Sequence, residues 1–253
     1  MIKINDINGV KYCHYTNLDC ARKIIADERI FLSKMDAMND SSETELHAND
    51  MKAVFSTCFC HSEAKSIPMF YLYSGIDGKG CRLEFTAAKI KELLRNIEVY
   101  PVNKEMKCLK KRIPSEDFDV MFDWIHYIAS DGFGYYRGRV CTNFTSFEEA
   151  SNPESDIYNF IKNPVWRYEN EFRIVIRMKK DCSYERVAIH IPCKEQERGI
   201  SITCGPELSL SEVEAIREEF NEYGIQHIHS YSHEKIKIEM KLVSRNKNLL
   251  SKG

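Results

Sequence analysis

Short apolar, aromatic and β-branched runs alternate along this chain with amphipathic helical patterns, and the alternation keeps no regular strand–helix–strand beat. A doubly wound parallel sheet needs that beat, because a parallel strand is reached through a crossover helix. Its absence predicts an α+β fold with curved, largely antiparallel sheets. The β-like runs are residues 10–15, 30–33, 53–60, 80–85, 99–102, 165–178, 185–191, 199–204, 226–232 and 235–242. Helical patterns cover residues 18–26 behind Asn17 and 87–97 behind Thr86, and a further helix is read over 118–129. Residues 66–74 and 155–161 read as short helical turns. Residues 210–223 form a helix capped by Ser209 or Ser211 and stopped by Gly224. Residues 35–42 and 132–138 read as turn or loop.

Composition narrows the class. The chain has 253 residues, 43% hydrophobic and 29% charged, enough to build a sizeable core. No stretch free of Asp, Glu, Lys and Arg exceeds eleven residues, so no membrane-spanning helix is expected. No secretory leader is read at the N-terminus, which predicts a cytoplasmic protein. In that compartment the ten cysteines are expected as reduced, mostly buried thiols. A net charge of −2 argues against strong general affinity for nucleic acid, although the run KEMKCLKKR at residues 104–112 and the tail 235–252 are locally basic. Neither a G-x-G-x-x-G nor a G-x-x-x-x-G-K-[ST] loop is present.

The most informative stretch is Trp166-Arg167-Tyr168-Glu169-Asn170-Glu171-Phe172-Arg173. Read as a strand, it puts Arg167, Glu169, Glu171 and Arg173 on one face, with the two carboxylates about 7 Å apart. Such a set is either a salt-bridged outer face or a carboxylate pair held ionised by arginines in a cleft. The pair would suit stabilisation of a sugar cation or activation of a hydroxyl. His14 ends the first strand, next to Thr16 and a helix start, where pockets open. Tyr71 and Tyr73 lie in an aromatic segment; most of it reads as core, with one exposed ring able to stack on a flat ligand.

His14-Tyr15-Thr16, Met38-Asn39-Asp40 with Glu43, Cys58-Phe59 with Ser62-Glu63, Met69 to Tyr73 with Gly80 to Phe85, and Trp166 to Arg173 together resemble the bacterial family called domain of unknown function 2971. Gly205-Pro206 and the helix after them suit the same pattern. The chain departs from it at Ser41, where the family shows Pro, and at Phe70, where it shows Trp. Residues 98–155 match weakly and read as an insert in one domain spanning 1–253. That family in turn resembles a divergent His-Tyr-Glu branch of the ADP-ribosyltransferase superfamily. The resemblance implies a split, curved antiparallel β-sandwich with flanking helices that holds NAD as substrate. It assigns catalytic roles to Glu171, Glu169, His14 and Tyr73, and NAD contacts to His14, Thr16, Tyr71, Tyr73 and Arg173. Tyr73, or else Tyr71, would pack on nicotinamide, Glu171 would bind the nicotinamide ribose, and Glu169 would activate the acceptor. The acceptor would be RNA, DNA or protein, and the superfamily's recurrent use as toxins suggests an effector in phage defence with an antitoxin partner.

Two other function classes stay open. One is a non-catalytic ligand- or protein-binding module on the same scaffold. The other is a metal-dependent hydrolase using His227, His229 and His233, since two histidines at i, i+2 on a strand can ligate zinc.

Overall fold

The computed structural model describes residues 2–9, 11–38, 40, 53–61, 66–75, 77–105, 107–129, 133–137, 139–141, 150–152, 155, 157–193, 199–225 and 227–230. In chain order these form β1 (Tyr12–Thr16), α1 (Leu18–Asp27), β2 (Arg29–Lys34), β3 (Val54–His61), α2 (Ile67–Tyr73), β4 (Cys81–Phe85), α3 (Ala87–Arg95), β5 (Val99–Val102), β6 (Phe118–Trp124) and β7 (His126–Ile128). There follow β8 (Gly134–Tyr136), β9 (Arg139–Cys141), β10 (Ile161–Lys162), β11 (Glu171–Met178), β12 (Arg186–His190), β13 (Ile200–Cys204), α4 (Leu210–Asn221) and β14 (Ile228–His229). Single 3₁₀ turns punctuate them, notably Tyr158–Phe160 and Pro164–Glu169. The architecture is mixed α+β.

The chain divides into two compact units, each assembled from separate segments. The first holds Met1–Tyr12, Asp27–Glu63 and Thr86–Pro192. Its main sheet runs β6–β11–β3–β2–β12–β5, every pair antiparallel. A smaller sheet runs β10–β7–β8–β9, with only β10 and β7 parallel. Strand β11 is central. It pairs with β3 on one side and β6 on the other, so its residues 171–176 are all buried. Phe172 on one face meets Tyr12 and Trp124 at ring-centroid distances of 5.0 and 5.5 Å. Val175 on the other face joins a core with Met35, Val54, Ile125, Tyr127 and Phe160.

The second unit holds Cys13–Ala26, Ala64–Phe85 and Cys193–Gly253. Its strands run β1–β4–β13–β14, antiparallel between β13 and β4 and parallel between β13 and β14. Helix α1 starts where expected, with the Cys20 N–H donating to Asn17 Oδ1 at 2.7 Å. Helix α4 opens on a reciprocal capping box between Ser209 and Glu212. Gly80 and Gly205 stand where the backbone is crowded: a Cβ on Gly80 would come within 2.0 Å of the Ser74 carbonyl oxygen, and one on Gly205 within 2.2 Å of that of Gly78.

Several sequence expectations need correction. Residues 118–129 form β6 and β7 rather than a helix. Met121, Trp124, Ile125 and Ile128 do fall at helical spacing, but long-range pairing of 118–124 with β11 overrides that local pattern. Residues 165–178 are not one strand. Asn163 caps a 3₁₀ turn by accepting from the Val165 N–H, with Pro164 at its first position, and Asn170 then turns left-handed at φ 42° before β11 begins. Asn tolerates that conformation better than most side chains. Its amide also ties the corner down, donating from Nδ2 to the His61 carbonyl at 2.5 Å. The expected turn at 155–161 shrinks to Tyr158–Phe160, and the loop expected at 132–138 contains β8. The strand expected at 235–242 lies outside the described residues.

Candidate functional site: a sealed charge cluster around Glu171

Strand alternation puts Glu171 and Arg173 on the same face of β11 as Val175. Both are shut from water, at 2% and 0% exposure. Arg173 Nε donates to Glu171 Oε1 at 2.7 Å, and Arg173 Nη1 donates to the Asn159 carbonyl at 3.2 Å. A third buried side chain, Lys162 at the end of β10, reaches in from the smaller sheet. Its ammonium donates to Glu169 Oε2 at 2.7 Å and to Glu171 Oε2 at 3.3 Å. The same ammonium stands 4.9 Å over the Trp166 ring.

Two carboxylates and two cations thus form an electrically balanced cluster. Burial alone would push the Glu171 carboxyl upward; Arg173, then Lys162, outweigh it, with hydrogen bonds from Arg173 and Cys58, and hold the group below the usual carboxylate range. The Cys58 thiol is driven the other way, first by burial and then by the Glu171 charge. Tyr127 completes the enclosure: its hydroxyl accepts the Glu171 backbone N–H at 3.0 Å, and burial raises its own pKa. Chemically, Glu171 is an ionised carboxylate in a dry, cation-lined setting, where an electrostatic contact is worth far more than in water.

The expected adjacency of Glu169 and Glu171 along one strand is not observed, because Glu169 ends the 3₁₀ turn. They converge through Lys162 instead. The sequence reading missed Lys162, Cys58, Tyr127 and Asn159. The usable signal was a lysine just before Asn163-Pro164, where a chain reversal brings it back toward Glu169.

The remaining candidates lie in the second unit. His14 is half-buried in the middle of β1, and Thr16 is buried at its end. Tyr71 is 38% exposed, its hydroxyl donating to Glu207 Oε1 at 2.7 Å. Tyr73 is half-buried as the last residue of α2. His14, Thr16, Tyr71 and Tyr73 are therefore held by one unit, and Glu169, Glu171 and Arg173 by the other.

The second unit has a buried charge pair of its own, on β4. Arg82 and Glu84 alternate on β4 at 3% exposure each. Arg82 Nε and Nη2 donate to Glu84 Oε1, which also accepts from Thr203 Oγ1, while Glu84 Oε2 accepts from Ser201 Oγ at 3.1 Å. The R-x-E of β4 and the E-x-R of β11 share one feature, two opposite charges at i, i+2 buried on one face of a strand.

His227 and His229 lie at the start and end of a short segment paired with β13, and His233 lies outside the described residues. Among the described residues no three His, Cys, Asp or Glu side chains are grouped to hold a metal ion. No described helix is long and apolar enough to cross a membrane. The chain matches no protein-family model, no curated protein and no solved structure.

Proposed function

We propose that the chain is an NAD-dependent ADP-ribosyltransferase of the His-Tyr-Glu kind, with Glu171 as the carboxylate that faces the nicotinamide ribose. The observation that carries this reading is that Glu171 is kept ionised in a water-poor setting by Arg173 and Lys162. Breaking the bond between ribose C1′ and nicotinamide sends the bonding pair to the leaving nitrogen and leaves cationic character on the sugar. A fixed negative charge stabilises that cation. A bond then forms from C1′ to the acceptor, whose proton passes to a base; Glu169, two residues before Glu171, is placed in that role. By the resemblance, Tyr73 or Tyr71 would pack on nicotinamide, His14 would contact the adenosine ribose or the nicotinamide region, and Thr16 would contact NAD; all four belong to the second unit. A toxin-like role with an antitoxin partner belongs to the same proposal.

A second reading, a non-catalytic binding module, draws on a specific observation. Both Glu171 oxygens already hold a cation, and the side chain is 2% exposed. On that reading the cluster only specifies the packing of β11 against β10. Incubating the purified chain with labelled NAD and separated RNA, DNA and protein fractions distinguishes the two. Transfer of label to one fraction supports the transferase; intact NAD in every fraction supports the module.

A further inference from the structure

We propose that the face built from the turn Pro164–Glu169 and strand β8 binds single-stranded nucleic acid. The proposal names the acceptor of the transferase reading and rests on it to that extent; the binding itself does not.

The turn packs against β7 and β8. Val165 and Tyr168 of the turn, Phe133 just before β8 and Val140 of β9 are 71%, 47%, 40% and 58% exposed. Phe133 meets Tyr135 edge-on at 5.5 Å, and Trp166 lies 6.1 Å from Tyr168. Arg167 lies beside Tyr135. Its guanidinium carbon is 4.7 Å from the Tyr135 ring centroid, and Nη1 donates to the Tyr135 hydroxyl at 2.5 Å. Arg167 is exposed and pairs with no carboxylate among the described residues. Within the basic run at 104–112, Lys104, Lys107 and Arg112 each pair with a carboxylate, of Glu185, Glu105 and Glu98, whereas Lys110 and Lys111 are exposed.

An arginine tethered through one N–H to a phenol hydroxyl keeps its remaining N–H donors for phosphate oxygens. Exposed ring faces beside it take unpaired bases with little regard to sequence. Duplex bases are stacked on each other and cannot use those faces. With Arg167 as the single phosphate-binding cation, binding should depend weakly on salt, with a slope of log K on log salt near −1.

The test is fluorescence anisotropy with labelled oligo(dT) and oligo(U) of about twelve nucleotides, without NAD, at low and moderate salt. The parent chain should bind both strands and bind a duplex of equal length at least tenfold more weakly. Arg167→Ala and Tyr168→Ala should each weaken binding about tenfold, and Arg167→Lys less, because it keeps the charge and loses only the additional guanidinium donors. Both positions are exposed, so melting curves should match the parent; if either variant fails to fold, the other carries the test. A parent chain that binds neither strand overturns the proposal in favour of a protein partner on the same rings. Equal binding by both alanine variants, or by duplex, also overturns it. NAD turnover is read on the same preparations. Strand binding without turnover leaves this surface standing and removes the transferase, whereas turnover without strand binding removes the surface alone.

Discussion

Glu171 and Arg173 stand two residues apart on one face of a central strand, Oε1 to Nε 2.7 Å, with both side chains closed to water. Neither charge can be removed without leaving the other buried. Arg173→Met should cost about 3–5 kcal/mol in urea unfolding. The solvent-accessible pair of Arg22 with Glu219 gives the contrast: Arg22→Ala should cost about 1 kcal/mol or less. Equal losses would mean that the β11 pair is not sealed.

Lys162 ties two carboxylates together from a different sheet. Lys162→Met keeps the packing volume on Trp166 and strips the ammonium from Glu169 and Glu171. The stranded Glu169 carboxyl should then titrate above its unfolded value. A folded state that binds more protons loses stability as pH rises, so the deficit of this variant against the parent should grow between about pH 5 and pH 8. A double-mutant cycle with Glu169→Gln should recover part of the loss. Strict additivity would show that the 2.7 Å contact carries no coupling.

His126 supplies a separate acid sensitivity. Its ring stacks on Tyr136 at 4.3 Å, and burial pushes its pKa down to about 4, against a smaller upward pull from Asp123. The unfolded imidazole takes its proton near pH 6.5, so the unfolded state binds more protons between about pH 6.5 and pH 4. Stability should therefore fall as pH drops through that window, by about 2–3 kcal/mol from this residue, and level off below it. His126→Phe keeps the stack and should flatten the slope. An unchanged slope would assign the acid loss elsewhere.

Some of this was readable in advance. The caps at Asn17, Thr86 and Ser209 act on the next few residues only, so α1, α3 and α4 follow directly from local spacing. The strand at Val99–Val102 was equally plain. What local pattern could not show was pairing. Residues 118–124 carry apolar side chains at a spacing that suits a helix, and only the register with β11 makes them a strand. The break at Asn170 was hidden for the opposite reason. Alternation continues through it in sequence, while Pro164 and the left-handed Asn170 redirect the backbone. Glu171 and Arg173 were singled out within a charged set with Arg167 and Glu169, but the buried cluster they form is completed by Lys162, which arrives from a strand of only two residues.

The thiols of the second unit should sort by burial. Cys13, Cys81 and Cys204 are fully buried, and burial pushes the Cys204 thiol up to about 11. Cys20 and Cys182 are partly open, the latter in the first unit. With Ellman's reagent near pH 8, Cys20 and Cys182 should react in the folded chain, and Cys13, Cys81 and Cys204 only after denaturant is added. Labelling of Cys81 as fast as Cys20 would contradict the packing of β4.

The central claim is that the Glu171 charge serves chemistry. Because Glu171 is buried against Arg173 and Lys162, Glu171→Gln should lower the melting point whether or not it is catalytic, so stability alone decides nothing. Glu84→Gln is the matched control, a buried carboxylate held by Arg82, Thr203 and Ser201 outside the proposed machinery. The deciding measurement is NAD turnover by the parent, Glu171→Gln and Glu84→Gln, well below the lowest melting point. The account predicts turnover by the parent, a fall of about 10²–10³-fold in Glu171→Gln, and a change of no more than about threefold in Glu84→Gln. Undiminished turnover in Glu171→Gln, or none in the parent, would contradict it.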